Sequence, residues 1–427
     1  MKQFTAIVIG AGLRGIAYTD GMKDMPNEFK VVGVAEPVED RRNYIQEKHG
    51  IAPENVYDDW KGILSREKMA DVAIIATMDR DHYAPTMAAI EKGYHILLEK
   101  PISPVPKECL EIAAAAEKKG VHIIVCHVLR FTPFFTTLKK AIDDGLIGKL
   151  HSIVHAEYVG NVHQSHSFVR GNWRSSTESS PMLLQKSCHD MDILQWLVGG
   201  ECTKVQSFGD LSYFTPANRP EGAADRCIDC SVRETCPYNA VKLYPAESAW
   251  FPCAATKKIN PTQADIDDAL ANSRYGECVF LGKNDVVDHQ VVNLQFDNDV
   301  TVSFTMTAFS TGGRSIVLMG TGGQLIANMD KETFTLYSFD TCETREIPIT
   351  DAQLGSTLVS GHGGGDLGIL NALYLLLSGH GDECKGLCTI RRSADNHLIV
   401  FAAEESRKND TVVDFTKFKK ETYEKFQ

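Results

Sequence analysis

Hydrophobic and polar residues alternate in two different ways along the chain, and the change of pattern predicts two domains. Up to residue 128, short and nearly continuous apolar runs are separated by segments of helical period, as in strands buried on both faces of a parallel sheet. The runs are Phe4–Ile9, Phe29–Ala35, Asp71–Ala76, His95–Leu98 and His122–Val125. This order predicts an α/β fold over residues 1–128, a doubly wound parallel sheet with helices on both faces.

Beyond residue 128 the apolar runs are longer and alternate with polar residues, which is typical of antiparallel strands with one exposed face. Turn sequences at Asp297–Asp299 and Thr321–Gly323 interrupt two of these runs and predict hairpins. We therefore expect residues 129–427 to form an α+β domain with a large, mostly antiparallel open sheet. Residues from about 216 to 275 have no clean period and hold several Pro and Cys, so we interpret them as an insertion.

Composition and charge exclude several classes of function. The 427 residues are 43% hydrophobic and 23% charged, which is a globular composition with enough chain for two cores. The formal net charge of -12 argues against nucleic-acid binding. The apolar runs are too short to cross a bilayer, and no signal peptide precedes the first strand. We expect a cytoplasmic protein without a membrane partner.

A glycine-rich turn follows the first strand and leads into a helical pattern. Gly10, Gly12 and Gly15 have the spacing G-x-G-x-x-G in the strand–turn–helix context that predicts a dinucleotide site. Gly10 permits the tight turn, Gly12 lets a pyrophosphate approach, and Gly15 lets the helix pack on the strand. The helix N-terminus, with Leu13 and Arg14, offers N–H groups to the phosphates.

The second predicted strand ends at Glu36, about 20 residues beyond Gly15. A carboxylate at this point accepts hydrogen bonds from the adenosine ribose and repels a 2′-phosphate, so NAD is favoured over NADP. Arg41 and Arg42 follow closely and leave NADP open. We include Arg41 among the cofactor contacts.

The fourth predicted strand ends in Glu99-Lys100-Pro101, at the edge of the sheet where ligands bind in such folds. A lysine there lies near the nicotinamide and is suited to proton transfer, so Lys100 is a catalytic candidate. An exposed lysine at a strand end is the alternative interpretation.

Several motifs resemble the glucose-fructose oxidoreductase and inositol dehydrogenase superfamily, Gfo/Idh/MocA. They are the N-terminal glycines, Ala76-Thr77 followed by His82, the segment Gly93–Pro101, and Arg130–Pro133. The resemblance implies an N-terminal Rossmann fold and a C-terminal α/β domain that carries the substrate site and often the subunit contact. It implies redox chemistry at a carbinol carbon of a sugar, inositol or related ring, with Lys100 at the reacting hydroxyl. We place Thr77, His82, Glu99 and Lys100 among the cofactor contacts.

A second polar motif runs from Gln185 to Asp192 and precedes an apolar segment. In a helix it places Gln185, Lys186, His189 and Asp192 on one stripe. The family has its catalytic histidine in a comparable motif, and His189 matches it. Gln185 stands where many members carry an acid, and an amide cannot exchange a proton. Lys100 and His189 therefore remain as the acid/base pair, with Lys186 as a third catalytic candidate and Asp192 as a substrate contact.

Hydrogen-bond donors and aromatic rings are dense between residues 163 and 174, in a predicted loop before that helix. Such groups bind sugars, and we expect substrate contacts from His163, His166, Arg170 and Trp173. A solvated loop with a buried tryptophan is the alternative. His362, in a glycine-rich helix entry, is a further expected contact, with a plain flexible helix entry as the alternative.

The insertion contains a cysteine cluster, Cys227-x2-Cys230-x5-Cys236, followed by Cys253. Four thiolates at these positions would form a tetrahedral structural zinc site that stabilises the insertion. The Cys-Pro step after Cys236 also occurs in iron–sulfur sequences, although the x5 spacing fits those poorly.

These features favour an NAD-dependent dehydrogenase that transfers a hydride between nicotinamide and a ring carbinol of a sugar, inositol or related polyol. The alternative is an NAD-dependent glycosidase that works by transient oxidation and elimination, with His163 or His166 as the extra acid/base group. A cofactor-binding regulator is disfavoured by the pairing of Lys100 with His189. The expected partners are a small sugar or polyol and further copies of the chain in a homodimer or homotetramer.

Overall fold

The computed structural model describes residues 2–245, 250–331, 333–349 and 363–426. The first part of the chain forms six strands, which are β1 (Phe4–Ile9), β2 (Phe29–Ala35), β3 (Val56–Tyr57), β4 (Val72–Ile75), β5 (His95–Leu98) and β6 (Ile123–Val125). Five helices connect them, namely α1 (Leu13–Lys23), α2 (Glu39–His49), α3 (Trp60–Ser65), α4 (Tyr83–Glu91) and α5 (Pro106–Lys119).

These six strands form a parallel sheet in the order β3-β2-β1-β4-β5-β6. The predicted doubly wound sheet is confirmed, and its five predicted strands correspond to β1, β2, β4, β5 and β6. The two-residue β3 was missed because so short a strand gives no periodic signal. The strand order reverses between β1 and β4, and in such sheets the ligand crevice lies at this point, beyond the carboxyl ends of the strands.

The remainder of the chain forms a second sheet of nine strands and nine described helices. The strands are β7 (Leu150–Tyr158), β8 (Cys202–Asp210), β9 (His289–Phe296), β10 (Thr301–Thr307), β11 (Gly313–Gly320), β12 (Gly323–Asn328), β13 (Thr333–Ser338), β14 (Thr344–Pro348) and β15 (Val413–Asp414). The helices are α6 (Pro133–Asp143), α7 (Asn161–His163), α8 (Met182–Val198), α9 (Ala240–Leu243), α10 (Trp250–Thr256), α11 (Gln263–Asn272), α12 (Gly365–Leu377), α13 (Ile390–Asn409) and α14 (Phe415–Phe426).

The second sheet has the order β14-β13-β12-β11-β7-β10-β9-β8-β15 and confirms the predicted, mostly antiparallel architecture. The exception is the central pair β7 and β10, which is parallel. The predicted hairpins are β9–β10 and β11–β12, and Asp299 adopts φ 69° in the first turn. Helices α8 and α13 cover part of the inner side of the sheet. The opposite face carries exposed apolar side chains, among them Val154, Phe208 and Ile326.

The predicted insertion contains α9, α10, α11 and short 3₁₀ turns, packed around its own small apolar core. It reaches the first domain, where the backbone N–H of Ile259 donates to Asp40 of α2 at 2.8 Å. The segment before α8, which we predicted as a loop, instead forms α7 and a π-helical stretch from Gln164 to Arg170.

Helix α12 belongs to the second part of the chain but packs against the first domain. Ile369, Leu370 and Leu373 are fully buried in the same apolar cluster as Tyr18 of α1 and Val8 of β1. Asp366 of α12 accepts a hydrogen bond from Arg14 of α1, although the two residues lie 352 positions apart in the chain. None of the helices in the described ranges combines the length and the apolar character that a membrane span requires.

Candidate active site

The glycine-rich turn between β1 and α1 is shaped by close packing at two glycines and open space at the third. Gly10 has φ +87°, and a Cβ on Gly15 would lie 2.1 Å from the carbonyl oxygen of Gly10. A Cβ on Gly12 would meet no atom within 4 Å. Gly12 is also the N-cap of α1, and no side chain caps the first N–H groups. The turn therefore presents backbone donors to open space, which fits a dinucleotide pyrophosphate.

Glu36 lies beside this turn at the end of β2. One carboxylate oxygen accepts the N–H of Ala11 at 2.6 Å and the other that of Val38 at 2.9 Å. The carboxylate is thus held next to the glycines. This is the position of an acid that accepts hydrogen bonds from the ribose hydroxyls of a dinucleotide. Arg42 donates to the backbone carbonyl of Glu36, whereas Arg41 lies near the insertion. Burial raises the pKa of the Cys253 thiol, and Arg41 is close enough to oppose that shift.

Arg14 and Glu99 form an ion pair, which corrects the prediction that Glu99 contacts the cofactor, whereas the backbone N–H of Arg14 stays a predicted contact. Arg14 Nε lies 2.8 Å from Glu99 and Nη2 lies 2.6 Å from Asp366 of α12. Tyr18 donates to the same Glu99 oxygen, and the backbone N–H of Lys100 donates to the other. The network ties α1, the end of β5 and α12 together, so these side chains position Lys100.

His82 is likewise a positioning residue and not the predicted cofactor contact. Its ring is buried, with Nδ1 2.7 Å from the carbonyl oxygen of Pro101 and Nε2 3.1 Å from that of Thr77. The imidazole therefore joins the loop after β4 to the loop after β5. Thr77, whose hydroxyl donates to the carbonyl of Asp81, stays a predicted cofactor contact.

Lys100 extends from the end of β5 toward α8 in the second domain. Its Nζ donates to the carbonyl oxygen of Gln185 at 2.6 Å, in the first turns of that helix. Lys100, the catalytic candidate of the first domain, therefore contacts the polar motif Gln185–Asp192 of the second domain. This contact brings the two motifs together at the boundary between the domains.

Lys186, the residue after Gln185 in α8, belongs to a buried network of ion pairs. Its Nζ lies 3.1 Å from Glu157, and the second oxygen of Glu157 lies 2.6 Å from Arg314. Arg314 also pairs with Asp190 at 2.8 Å, and Asp190 accepts from His155 at 2.9 Å. Burial lowers the pKa of Lys186, while the Glu157 carboxylate opposes that shift.

Two histidines complete the basic cluster, which we define as Lys100, Lys186, His163 and His189. Burial lowers the pKa of His163 well below its usual range, and the nearby charges of Lys186 and Lys100 lower it further. His189 is buried on the same face of α8 as Lys186, and its ring lies edge-on to that of His127, 6.0 Å away. Burial and these neighbouring charges therefore favour the neutral form of His163.

Three predicted substrate contacts are buried structural residues. His166 packs among the aromatic rings of the insertion, and burial lowers its pKa to about 3. Arg170 is buried and donates to the carbonyls of Glu277 and Tyr238. Asp192 has no exposed surface, and its oxygens pair with Arg130 at 2.6 and 3.0 Å. Asp192 lies on the polar stripe of α8 but is not the predicted substrate contact, because Arg130, from another part of the chain, neutralises its charge inside the core.

Of the other three predicted substrate contacts, His163 belongs to the basic cluster defined above, and its contact with substrate stays a prediction. Trp173 is half-buried, and its indole N–H donates to Asp79 of the first domain at 3.1 Å. It borders the boundary between the domains, so its contact with substrate stays a prediction. His362 lies outside the described residues.

The predicted zinc site is not supported. Cys253 lies in α10, where its thiol contacts the carbonyl oxygen of Ile259 at 3.1 Å. Across the described ranges, no three His, Cys, Asp or Glu side chains are arranged to hold a metal ion. The x2 and x5 spacings grouped the first three cysteines, but spacing alone gave no reason to prefer Cys253 as the fourth.

Sequence reasoning missed Glu157 and Arg314, which hold Lys186. A signal for Glu157 was present, because His155 and Glu157 occupy alternate positions of β7 that face inward, whereas Val154 faces outward. Charged side chains on the buried face of a strand require partners. The identity of the partner, Arg314 on β11, depends on strand pairing that the sequence does not reveal.

Comparison with known proteins agrees with this architecture. A family model described as the oxidoreductase family, NAD-binding Rossmann fold, matches residues 4–127. A second, the C-terminal alpha/beta domain of the same family, matches residues 139–362. Levoglucosan dehydrogenase in complex with NADH superposes with a TM-score of 0.71 at 18% identity, over 97% of this chain and 99% of the other.

Curated relatives with different names align with part of this chain. The putative oxidoreductase YteT of Bacillus subtilis (strain 168) is 26% identical over 73% of this chain and 74% of its own length. The 2,7-anhydro-N-acetylneuraminate hydratase of Mediterraneibacter gnavus is 28% identical over 49% of this chain and 53% of its own. An inositol 2-dehydrogenase/D-chiro-inositol 3-dehydrogenase of Lactiplantibacillus plantarum is 23% identical over 47% of this chain and 54% of its own. The alignments with the last two thus span about half of each protein. Because both family models match and together cover most of its length, the chain belongs to the Gfo/Idh/MocA family of NAD-dependent oxidoreductases.

Proposed function

We propose that this protein transfers a hydride between NAD and a ring carbinol carbon of a sugar, inositol or related polyol. The observation that carries the proposal is the contact between Lys100, at the end of β5, and the start of α8, the helix that carries Lys186 and His189. In this proposal residues 1–128 bind the cofactor and residues 129–427 contact the substrate. The names of the inositol and levoglucosan dehydrogenases support a polyol or sugar substrate.

The charged side chains of the crevice have separate tasks in this proposal. NAD, when bound along Gly10, Gly12 and Glu36, supplies the hydride acceptor. Lys100 contacts the reacting hydroxyl and stabilises negative charge on its oxygen. Burial lowers the pKa of Lys186, which accepts the hydroxyl proton. His189, on the same face of α8, is a second acid/base group. General base catalysis of this kind accelerates a reaction by about 10²–10⁴-fold.

A panel of substrates tests the proposal. Inositols, aldoses and anhydrosugars are incubated separately with the enzyme and NAD or NADP, and absorbance of the reduced cofactor is followed. We expect NADH to accumulate with at least one ring polyol and NAD to be preferred over NADP. Reduction of NADP alone, or no reduction with any ring polyol, would contradict the proposal.

A redox-neutral cycle is the second candidate, as in the glycosidase alternative predicted from the sequence. Two curated relatives are named hydratases, which favours this class. His163, neutral and close to Lys186 and Lys100, provides the additional acid/base group for such a cycle. Here the substrate is converted while NADH does not accumulate, so product analysis in the same panel separates the two candidates.

Glu157→Gln tests the proposed role of Lys186 as the base. The Glu157 carboxylate raises the pKa of Lys186, so its removal lowers that pKa further. More Lys186 is then neutral at a given pH, and the rising limb of kcat/KM for substrate oxidation is expected to move to lower pH. Glu346→Gln on exposed strand β14 is the matched control and leaves the limb in place. A limb that stays or moves to higher pH would exclude Lys186 as the group that titrates.

The open face of the nine-stranded sheet is the surface that we propose for self-association into a homodimer or homotetramer in the cytoplasm. Val154 of the central strand β7 is 50% exposed on this face, and Ile326 of β12 is 47% exposed. Val154→Glu places a charge at the centre of the proposed contact, so we expect a smaller species in light scattering coupled to gel filtration. Val105→Glu, at an exposed position of the first domain, is the control. An unchanged mass of Val154→Glu would place the contact elsewhere.

A further inference from the structure

Helix α10 of the insertion begins next to the basic cluster. Trp250, its first described residue, packs edge-on against the ring of His163, with 5.3 Å between the ring centroids. The charges of Lys186 and Lys100 act on His163, so this ring lies within the cluster. The N-terminal end of α10 therefore lies beside the residues to which we assign the chemistry.

The loop after α10 contacts the first domain. The backbone N–H of Ile259 donates to the carboxylate of Asp40, in the first turn of α2, at 2.8 Å. The carbonyl oxygen of Ile259 in turn accepts a hydrogen bond from the Cys253 thiol of α10 at 3.1 Å. Lys257 turns the chain between them with φ 62°, a conformation that residues other than glycine keep only where the surrounding contacts hold it. The C-terminal end of α10 is therefore joined to α2.

The first turn of α2 lies at the adenosine end of the predicted NAD site. Glu36, which is placed to accept the hydroxyls of the adenosine ribose, lies just before α2. Arg42 of that turn donates to the backbone carbonyl oxygen of Glu36 at 2.6 Å. Burial raises the pKa of Cys253 and of Tyr275, and the charge of Arg41 is close enough to oppose both shifts. Arg41 therefore faces the insertion, which reaches the cofactor site where the ribose is expected.

The second domain also contacts the loop after β4. Asp79 of this loop is 4% exposed and accepts the indole N–H of Trp173 at 3.1 Å. Its other oxygen accepts the hydroxyl groups of Ser179 and Ser180. In the strand order β2-β1-β4, the loops after β2 and β4 flank the glycine turn that follows β1. Residues of the second domain therefore contact the first domain on both sides of the turn that is expected to bind the pyrophosphate.

We propose that α10 and the loop to Ile259 line the adenosine half of the NAD site, so that the second domain takes part in cofactor binding. Seven helical residues span about 10 Å, and α10 uses this length to run from His163, at the reacting end, toward Asp40, beside the ribose position. The hydrogen bond from Ile259 to Asp40 then holds the insertion against the adenosine. This inference rests on the NAD site proposed above, but not on the identity of the substrate or of the reaction.

Asp40→Ala removes the acceptor of the Ile259 N–H and is the first test. We expect the dissociation constants of NAD and of ADP-ribose to rise at least about fivefold, because the insertion is no longer held against the adenosine. ADP-ribose is included because it has the adenosine but no nicotinamide. Glu39→Ala is the matched control, since it removes a carboxylate from the same exposed turn and should keep the wild-type affinity. Calorimetric titration measures both ligands.

Three outcomes of this titration would overturn the proposal. Equal affinities of Asp40→Ala and Glu39→Ala would show that the contact with Ile259 does not support cofactor binding. A loss of affinity for NAD but not for ADP-ribose would place the insertion at the nicotinamide end. If the wild-type protein bound neither ligand, the proposed NAD site itself would fail, and this result is distinct from the other two.

Hydrogen exchange of the wild-type protein tests the same contact without a variant. We expect saturating ADP-ribose to slow the exchange of the backbone N–H groups of residues 250–259, measured by mass spectrometry of peptides. Peptides of α14, which packs on α5 and β8, are the internal control and should keep their rate. Unchanged exchange of residues 250–259 would show that this segment does not line the adenosine half of the site.

Discussion

Lys100→Ala is expected to lower turnover by about 10²–10⁴-fold while leaving the affinity for NAD nearly unchanged. Lys100 ends β5 and donates to the carbonyl of Gln185 in α8, so its ammonium group lies where the two domains meet. Within the described ranges, neither the glycine turn nor Glu36, which bind the cofactor in our proposal, forms a hydrogen bond or ion pair with its side chain. Removing the side chain therefore removes chemistry and leaves the cofactor site intact.

Steady-state kinetics and NAD titration of the same preparation measure the two effects separately. Lys107→Ala, on an exposed position of α5, is the matched control and should behave as wild type. Wild-type turnover of Lys100→Ala would remove Lys100 from the mechanism. A loss of turnover that is matched by a loss of NAD affinity would make it a cofactor contact alone.

Gly12→Ala and Gly15→Ala are expected to fail in different ways, although they lie three residues apart in one turn. A Cβ on Gly15 would lie 2.1 Å from the Gly10 carbonyl oxygen, so the turn and α1 must separate. Overpacking of this kind costs about 1–3 kcal/mol of unfolding free energy. The same shift opens the turn, so Gly15→Ala should lose both thermal stability and NAD affinity.

Gly12→Ala places its methyl group in open space, at backbone angles of φ -68° and ψ -175° that alanine adopts readily. We expect its stability to stay within about 0.5 kcal/mol of wild type. Its NAD affinity should fall by about tenfold or more, equivalent to about 1.4 kcal/mol, because the methyl group occupies the approach of the pyrophosphate. Thermal denaturation and calorimetric titration check both variants. Wild-type affinity of Gly12→Ala would show that the pyrophosphate does not lie against this turn.

The first domain was predictable from the sequence because its signals are local. The apolar runs that became β1, β2 and β5 have the predicted bounds, and the glycine spacing required only the adjacent strand and helix. The second sheet was predicted for the same reason, since alternation and turn residues mark β9, β10 and their turn. Local patterns of this kind determine which element forms.

The parts that the sequence did not predict depend on which elements meet. Asp192 shares a helical stripe with Lys186, yet Arg130 pairs with it inside the core, so a substrate role was wrongly inferred. Arg14 and Glu99 are neighbours of the cofactor motifs, but Asp366, from a helix late in the chain, completes their ion-pair network. In each case the deciding partner is distant in the chain and carries no local signal.

The central claim is hydride transfer between a ring carbinol and NAD at Lys100. Its most direct test is to supply the best substrate of the panel with deuterium on the reacting carbon and to measure deuterium in the recovered cofactor by mass spectrometry. We expect deuterium at the nicotinamide ring with the wild-type enzyme, formed about 10²–10⁴-fold more slowly with Lys100→Ala. Substrate conversion by the wild-type enzyme with no deuterium in the cofactor would contradict it.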